Sequence, residues 1–284
     1  MVLEKDAVPS VWEQVGKANY NGDIEMRHLV ISDTQVKGSS ASYDYLECAG
    51  HYAAEKKPDV IIHIGDHFDM ESLSSYDKGT GAFEGRRYQN DIDCGIEAMR
   101  RFMAPIEAEQ ARLKRNKDKQ WKPRLVFTIG NHEARIERTV NLEPHLIGFM
   151  SYADLKLESF GFEVIPYLEP IIIDGIAYCH YFTSGIMGRP VASARALLSK
   201  KHMSCVMGHV QDRDIAYARR ADGVNMLGLF AGIFYEHEEG YLTPQTNGSW
   251  RGIWMLNDVE NGGCDEMPVS LKYLKDTYMH KVGS

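Results

Sequence analysis

The sequence has no CxxC pair among its five cysteines, Cys48, Cys94, Cys179, Cys205 and Cys264. Their odd number and wide spacing exclude a disulfide framework as its organising feature. It has no excess of positive charge: 32 Lys and Arg stand against 40 Asp and Glu, a formal net charge of -8. That balance argues against non-specific wrapping around long nucleic acid, which needs basic residues to neutralise phosphates. Long apolar runs are missing too. The longest, near Met226 to Phe234, falls far short of the roughly 20 residues that span a bilayer, and MVLEKDAVPSVWEQ lacks an apolar signal core. A cytoplasmic, intracellular setting without a membrane partner is expected. With no internal repeat or low-complexity tract, a folded enzyme or binding domain remains.

What is present supports an α/β fold. At 284 residues, 44% of them hydrophobic, the chain can bury a sizeable core, and no linker divides it. One domain over 23–284 is expected, preceded by a polar peripheral segment at 1–22 with a short helix near Val11 to Lys17. MRHLVISD and KPDVIIHIGD are short apolar runs rich in β-branched residues and read as buried strands. Between them Ala41 to Lys56 reads as a helix ended by Pro58, so strand, helix and strand form a βαβ unit with a parallel pair. Glu84 to Lys119 is charged and helix-favouring, with Ile92, Ile96, Met99, Phe102 and Met103 at helical spacing; it reads as a covering helix in an insertion at about 70–122. Further strands are expected at Arg124 to Asn131, Phe162 to Ile165, Ile171 to Ile173, Ile176 to Phe182 and Met203 to Gly208. GVNMLGLFAG, WRGIWMLND and PVSLKYL make the C-terminal third strand-rich. The later strands suggest a second sheet packed on the first, an αββα sandwich.

Polar residues gather where these strands stop: Asp33, Asp66, Asn131, His180 and His209. In an open α/β sheet the carboxyl ends of strands form the ligand-binding crevice, so residues far apart in sequence can converge there. Singly, each is more often a turn residue, a helix cap or a core histidine. Together they make two carboxylates, an amide and two imidazoles, three of them preceded by glycine, which suits a divalent-metal site.

In order along the chain, Asp33-Thr34-Gln35, Gly65-Asp66-His67-Phe68-Asp69, Gly130-Asn131-His132-Glu133, His180 and Gly208-His209-Val210-Gln211 resemble the DxH, GDxxD, GNHE/D, H and GHxH motifs of calcineurin-like metallophosphoesterases. DMESLSSYDKG, GNHEARIER and SWRGIWML resemble the subgroup found in tailed phages, for which the setting is the host cytoplasm. The resemblance implies a four-layer αββα sandwich with two mixed sheets and two divalent ions at the strand carboxyl ends. Asp66 would bridge them, Asn131, His180 and His209 would complete the second ion's shell, and Asp33 would bind the first. Gln35 and Gln211 stand where the family has histidines, both of them for the first ion. A glutamine carbonyl is a hard oxygen donor, so Mn²⁺ is expected foremost, then Mg²⁺, with Fe and Zn²⁺ as alternatives.

Two such ions can bridge a water and make hydroxide available near neutral pH, so no Ser or Cys nucleophile is required. His132 would be the general acid or phosphate donor, and Asp69 would orient and charge it; the structural alternative has Asp69 cap the Glu71-Ser72-Leu73 turn. Arg135 on a following helix, His67 inside GDxxD and Arg189 beside the Gly185 and Gly188 turn are possible substrate contacts. Hydrolysis of a phosphomonoester or phosphodiester is implied, with a nucleotide or nucleic acid among the candidate partners. Two rival readings are a DNA or RNA nuclease, touching the backbone through Met70 to Lys122 and its basic tail RLKRNKDKQWK, and a non-catalytic metal-binding module with a degenerate first site.

Overall fold

A computed structural model describes residues 26–38, 42–75, 79–238 and 248–283. The expected segment at 1–22, with its helix near 11–17, lies outside the described residues. Four strands open the fold: β1 (His28–Ile31), β2 (Val60–His63), β3 (Arg124–Thr128) and β4 (Glu163–Ile165), hydrogen-bonded side by side and all parallel. β1 and β2 are buried at every position, which is why they read as continuous apolar runs rather than alternating ones. The next five build a second sheet: β5 (Ile171–Ile173), β6 (Ile176–Tyr178), β7 (Ser204–Met207), β8 (Arg213–Arg219) and β9 (Asn225–Ala231), in the order β5-β6-β7-β9-β8. β10 (Gly252–Glu260) and β11 (Gly263–Ser270) return to the first sheet, giving β11-β10-β1-β2-β3-β4.

Alternation along each strand sorts side chains into layers. Val30, Ile62, Val126 and Trp254 from the first sheet meet Ile176, Tyr178, Val206 and Leu229 from the second in the core between the sheets. Leu29, Ile31, Ile61 and Phe127 point the other way, onto helices α1 (Asp44–Lys56) and α2 (Tyr88–Asn116). On the far side, α4 (Ala194–Lys201) packs on the second sheet through Ala194 and Leu197, against Cys179, Cys205 and Phe230. α3 (Arg135–Leu142) follows the third strand, and α5 (Leu271–Tyr278) follows the last. The result is the four-layer sandwich with two mixed sheets.

Three expectations change. α2 connects β2 to β3 and buries Ile92, Met99, Phe102, Met103 and Ile106 in the same core as α1, so it is the crossover helix of a βαβ unit and not an insertion. Its basic end lies beside the start of β2, where Trp121 Nε1 donates to the Pro58 carbonyl at 2.7 Å. PVSLKYL is half strand and half helix: Ser270 ends β11, and its hydroxyl accepts the Tyr273 N–H at 3.1 Å to cap α5. α1 begins at Asp44, later than Ala41, and residues 39–41 are outside the described set. Among the described residues no helix is long and apolar enough to cross a membrane.

Candidate metal centre

Asp33, Asp66 and Asn131 follow β1, β2 and β3, while His180 and His209 follow β6 and β7. Because these strands are parallel within each sheet, all five residues emerge at one end. The sheets are tied together there: His180 Nδ1 is 2.9 Å from the Ile64 carbonyl, and the His209 N–H donates to Asp33 Oδ2 at 2.9 Å.

Ligand-type atoms of Asp66, His180 and His209 lie within 4.8 Å of one another. Asp66 Oδ2 is 3.3 Å from His180 Nε2, and Asn131 Oδ1 is 2.9 Å from His180 Nε2 and 2.6 Å from His209 Nδ1. His180 donates Nδ1–H to a carbonyl, so its Nε2 is the atom turned to the cluster, the usual way a backbone acceptor selects a ligand tautomer. Burial lowers the His209 imidazole to about 4, so it is neutral and able to ligate at pH 7. Burial acts on His180 in the same sense, but Asp66 and Asp33 outweigh it and raise that imidazole to about 9. Burial also pushes the Asp33 carboxyl well above its usual range. A buried acid whose charged form is opposed by burial and by the neighbouring Asp66 carboxylate is a demand for positive charge that cations would meet.

The residues fit a metal by a second test. Asp33 Oδ1 and Gln35 Oε1 are buried and have no hydrogen-bond partner, a rare condition that a hard cation relieves. Gln211 Oε1, by contrast, accepts the Tyr235 hydroxyl at 3.0 Å. Gln35, Asp66 and His209 all have left-handed backbone, with φ of 35, 50 and 65°, strain of the kind that gathers where side chains must be aimed. The neighbouring glycines have a steric reason. A Cβ on Gly130 would sit 2.2 Å from Asp66 Oδ1, and one on Gly208 2.1 Å from Asp33 Oδ1.

His132 stands beside the cluster. Its backbone N–H donates to Asp66 Oδ1 at 2.9 Å, its Nε2 lies 3.8 Å from Asp66 Oδ2, and its Nδ1 is 2.5 Å from Asp69 Oδ1. Asp69 is therefore the imidazole's partner; its carbonyl is also 2.9 Å from the same nitrogen. Burial would lower the His132 pKa, but Asp66 and Asp69 raise it to about 9. Arg135, expected as a possible substrate contact, donates through Nη1 to the Asp69 carbonyl at 2.8 Å and places Nη2 3.4 Å from His132 Nε2, so it braces the Asp69 loop.

The other possible substrate contacts fare differently. His67 is 0% exposed, and both ring nitrogens are engaged, Nδ1 with Thr34 Oγ1 at 2.7 Å and Nε2 with the Gly95 carbonyl at 2.9 Å. It joins α2 to the site loops and has no atom left for substrate. Arg189 is exposed at the end of a turn whose Gly188 N–H donates to the Gly185 carbonyl at 3.1 Å.

Sequence reasoning gave no role to three residues here. Glu133, inside GNHE, accepts four backbone N–H groups: those of His67 and Phe68 at Oε1 and those of Asp66 and Gly130 at Oε2. Lys37 places Nζ 3.5 Å from Asp69 Oδ2, and the Tyr181 ring lies 4.6 Å from that of His209. An acid in the middle of a turn motif could have signalled the first; nothing in the local sequence marks the other two.

Comparison with known proteins gives the same frame. A family model described as calcineurin-like phosphoesterase matches residues 26–186, so His209 and Gln211 lie beyond the match, and His209 joins the cluster through the fold. The chain is similar to the Gene 54 protein of Mycobacterium phage L5, 27% identical over 145 residues, 49% of this chain and 51% of that protein. To the Gene 54 protein of Mycobacterium phage D29 it is 33% identical over 148 residues, with the same shares. The chain thus spans about half the length of the curated relatives it matches.

Proposed function

Since this chain belongs to the calcineurin-like phosphoesterase family, we propose that it hydrolyses a phosphomonoester or phosphodiester with the help of divalent cations. The observation that carries this reading is the meeting of Asp66, His180 and His209 within 4.8 Å, beside the His132–Asp69 pair. Asp66, Asn131, His180 and His209 would hold one cation, and Asp33 and Gln35, with Asp66 shared, the other. Cations so held supply Lewis acidity to the phosphoryl group and prime a water for attack. The oxygen-rich first position favours Mn²⁺ or Mg²⁺ over Zn²⁺ or Fe.

The protein's own part is positioning and proton transfer. Asp69 takes the Nδ1–H of His132, which leaves Nε2 facing Asp66 Oδ2 and the reacting end of the site. From there a protonated His132 donates to the leaving-group oxygen, and Asp69 stabilises the imidazolium before transfer. Arg135 and Lys37 hold Asp69 from either end. The phage relatives fit a setting in the host cytoplasm; a nucleotide or other phosphate ester is the substrate class that the family membership suggests.

The test is hydrolysis of bis-p-nitrophenyl phosphate and p-nitrophenyl phosphate by metal-stripped protein after adding Mn²⁺, Mg²⁺, Zn²⁺ or Fe²⁺ singly, with Asp66→Asn as control. Activity restored chiefly by Mn²⁺ or Mg²⁺ and absent from the control is expected. Bound metal with no turnover of either substrate would favour a non-catalytic module.

A further inference from the structure

The two glutamines of the first cation position have different surroundings. Gln35 Oε1 is buried without a hydrogen-bond partner, as is Oδ1 of Asp33. Gln211 Oε1, the one atom of that side chain able to ligate a hard cation, accepts the Tyr235 hydroxyl at 3.0 Å.

Tyr235 is a fixed donor. It is 0% exposed, its ring stacks on His237 at 4.3 Å and 13°, and the Arg251 guanidinium lies 5.3 Å from its centroid. Arg251 also donates to the Tyr235 and His237 carbonyls at 2.6 and 3.0 Å. The residue before it, Phe234, donates its N–H to the Asp33 carbonyl at 2.7 Å, and Ile233 bridges Asp33. The donor therefore rides on backbone stitched to the Asp33 strand end, and Gln211 is held by the wall of the site.

We infer that only Gln35 of the two glutamines faces the first cation, and that Tyr235 holds Gln211 aside. This rests on the metal-dependent reading above. The first position is then a three-oxygen site of Asp33, Gln35 and Asp66, fewer than the six ligands that Mn²⁺ or Mg²⁺ takes, completed by water or by oxygens of the substrate's own phosphoryl group. The second position, with Asn131 and two imidazoles, fills first. Inorganic phosphate tightens the first position by supplying the missing oxygens.

The experiment is a Mn²⁺ titration of the full chain, followed by the electron paramagnetic resonance signal of free Mn²⁺, with and without inorganic phosphate. The wild type is expected to bind in two separated steps. Gln35→Ala weakens the weaker step by at least about tenfold, the loss known for disturbed metal shells, while Gln211→Ala and Tyr235→Phe shift it by less than about twofold. Gln35→Glu tightens it and Gln211→Glu does not, so the result does not depend on the alanine variants folding. Equal weakening by Gln211→Ala and Gln35→Ala would overturn the inference. So would about tenfold weakening by Tyr235→Phe, since Tyr235 would then be orienting a ligand. Two equal steps in the wild type would overturn the inference alone; no Mn²⁺ binding at all would overturn the metal reading with it.

Discussion

The carboxylate of Glu133 accepts the backbone N–H of His67 at 2.7 Å, and that bond joins two loops, each carrying part of the candidate site. With Phe68, Asp66 and Gly130 as further donors, every acceptor position of the ionised acid is in use. Glu133→Gln keeps the shape but turns an NH₂ group toward two of those N–H groups. Buried donors left without acceptors cost about 1–3 kcal/mol each, so a loss of roughly 3 kcal/mol is expected, and at ~2–4 °C per kcal/mol the midpoint should fall by about 6–12 °C. Thermal unfolding of metal-free protein checks this. An unchanged midpoint would mean that the loops hold themselves.

Metal content separates the roles of Asp66 and His132. Asp66→Asn removes the charge both cations would share, and elemental analysis should find the variant stripped of metal and inactive. His132→Ala leaves the Asp66, His180 and His209 cluster intact, so metal content is expected to stay at the wild-type level while turnover drops about 10²–10⁴-fold, as for a lost general acid. An empty site in His132→Ala would make that residue a ligand instead.

Much of this was legible in the sequence because the informative residues sit at strand ends, where an apolar run stops at a polar residue. β1, β2 and β3 and the residues after them, Asp33, Asp66 and Asn131, could be read that way. Residues whose roles come from tertiary contact could not. Tyr235 bonds Gln211 and Lys37 reaches Asp69 only once loops that follow different strands of a sheet are brought side by side. His67 was misread for the same reason: its motif faces the site, but its ring points back to Gly95 on α2. β8 was missed because it is an edge strand with no fully buried residue, and its short run Ile215-Ala216-Tyr217-Ala218 is closed in by charged residues.

At the opposite end of the sandwich His28 links the two sheets, with Nδ1 2.7 Å from the Tyr178 hydroxyl and Nε2 3.0 Å from Asp174 Oδ2. Burial holds its pKa below the ordinary 6.5, although Asp174 pulls it upward. The unfolded chain therefore takes up this proton first as pH falls. The neutral imidazole's contribution to stability is complete above pH 6.5 and is lost as pH drops from there toward the lower folded pKa. His28→Gln, which does not titrate, should lose less stability than the wild type between about pH 7 and 5.5, measured by denaturant midpoints. Parallel losses in the two proteins would exclude His28 as the titrating group.

The basic stretch at the end of α2 bears on whether the substrate is a polynucleotide. α2 passes the site at Gly95, whose carbonyl is 2.9 Å from His67 Nε2. At ~1.5 Å per residue the helix carries Leu113 roughly 27 Å away. Lys114, Arg115, Lys117 and Lys119 are exposed at that far end, near the amino end of β2 and away from Asp66. Replacing all four by glutamine should change kcat/KM on bis-p-nitrophenyl phosphate and on a short oligonucleotide by less than about twofold, at low and at moderate salt alike. A polynucleotide long enough to span both places could still touch them. A selective drop of about tenfold on long single strands, steeper at low salt, would assign the tail to substrate binding and favour a nuclease over a small-ester hydrolase.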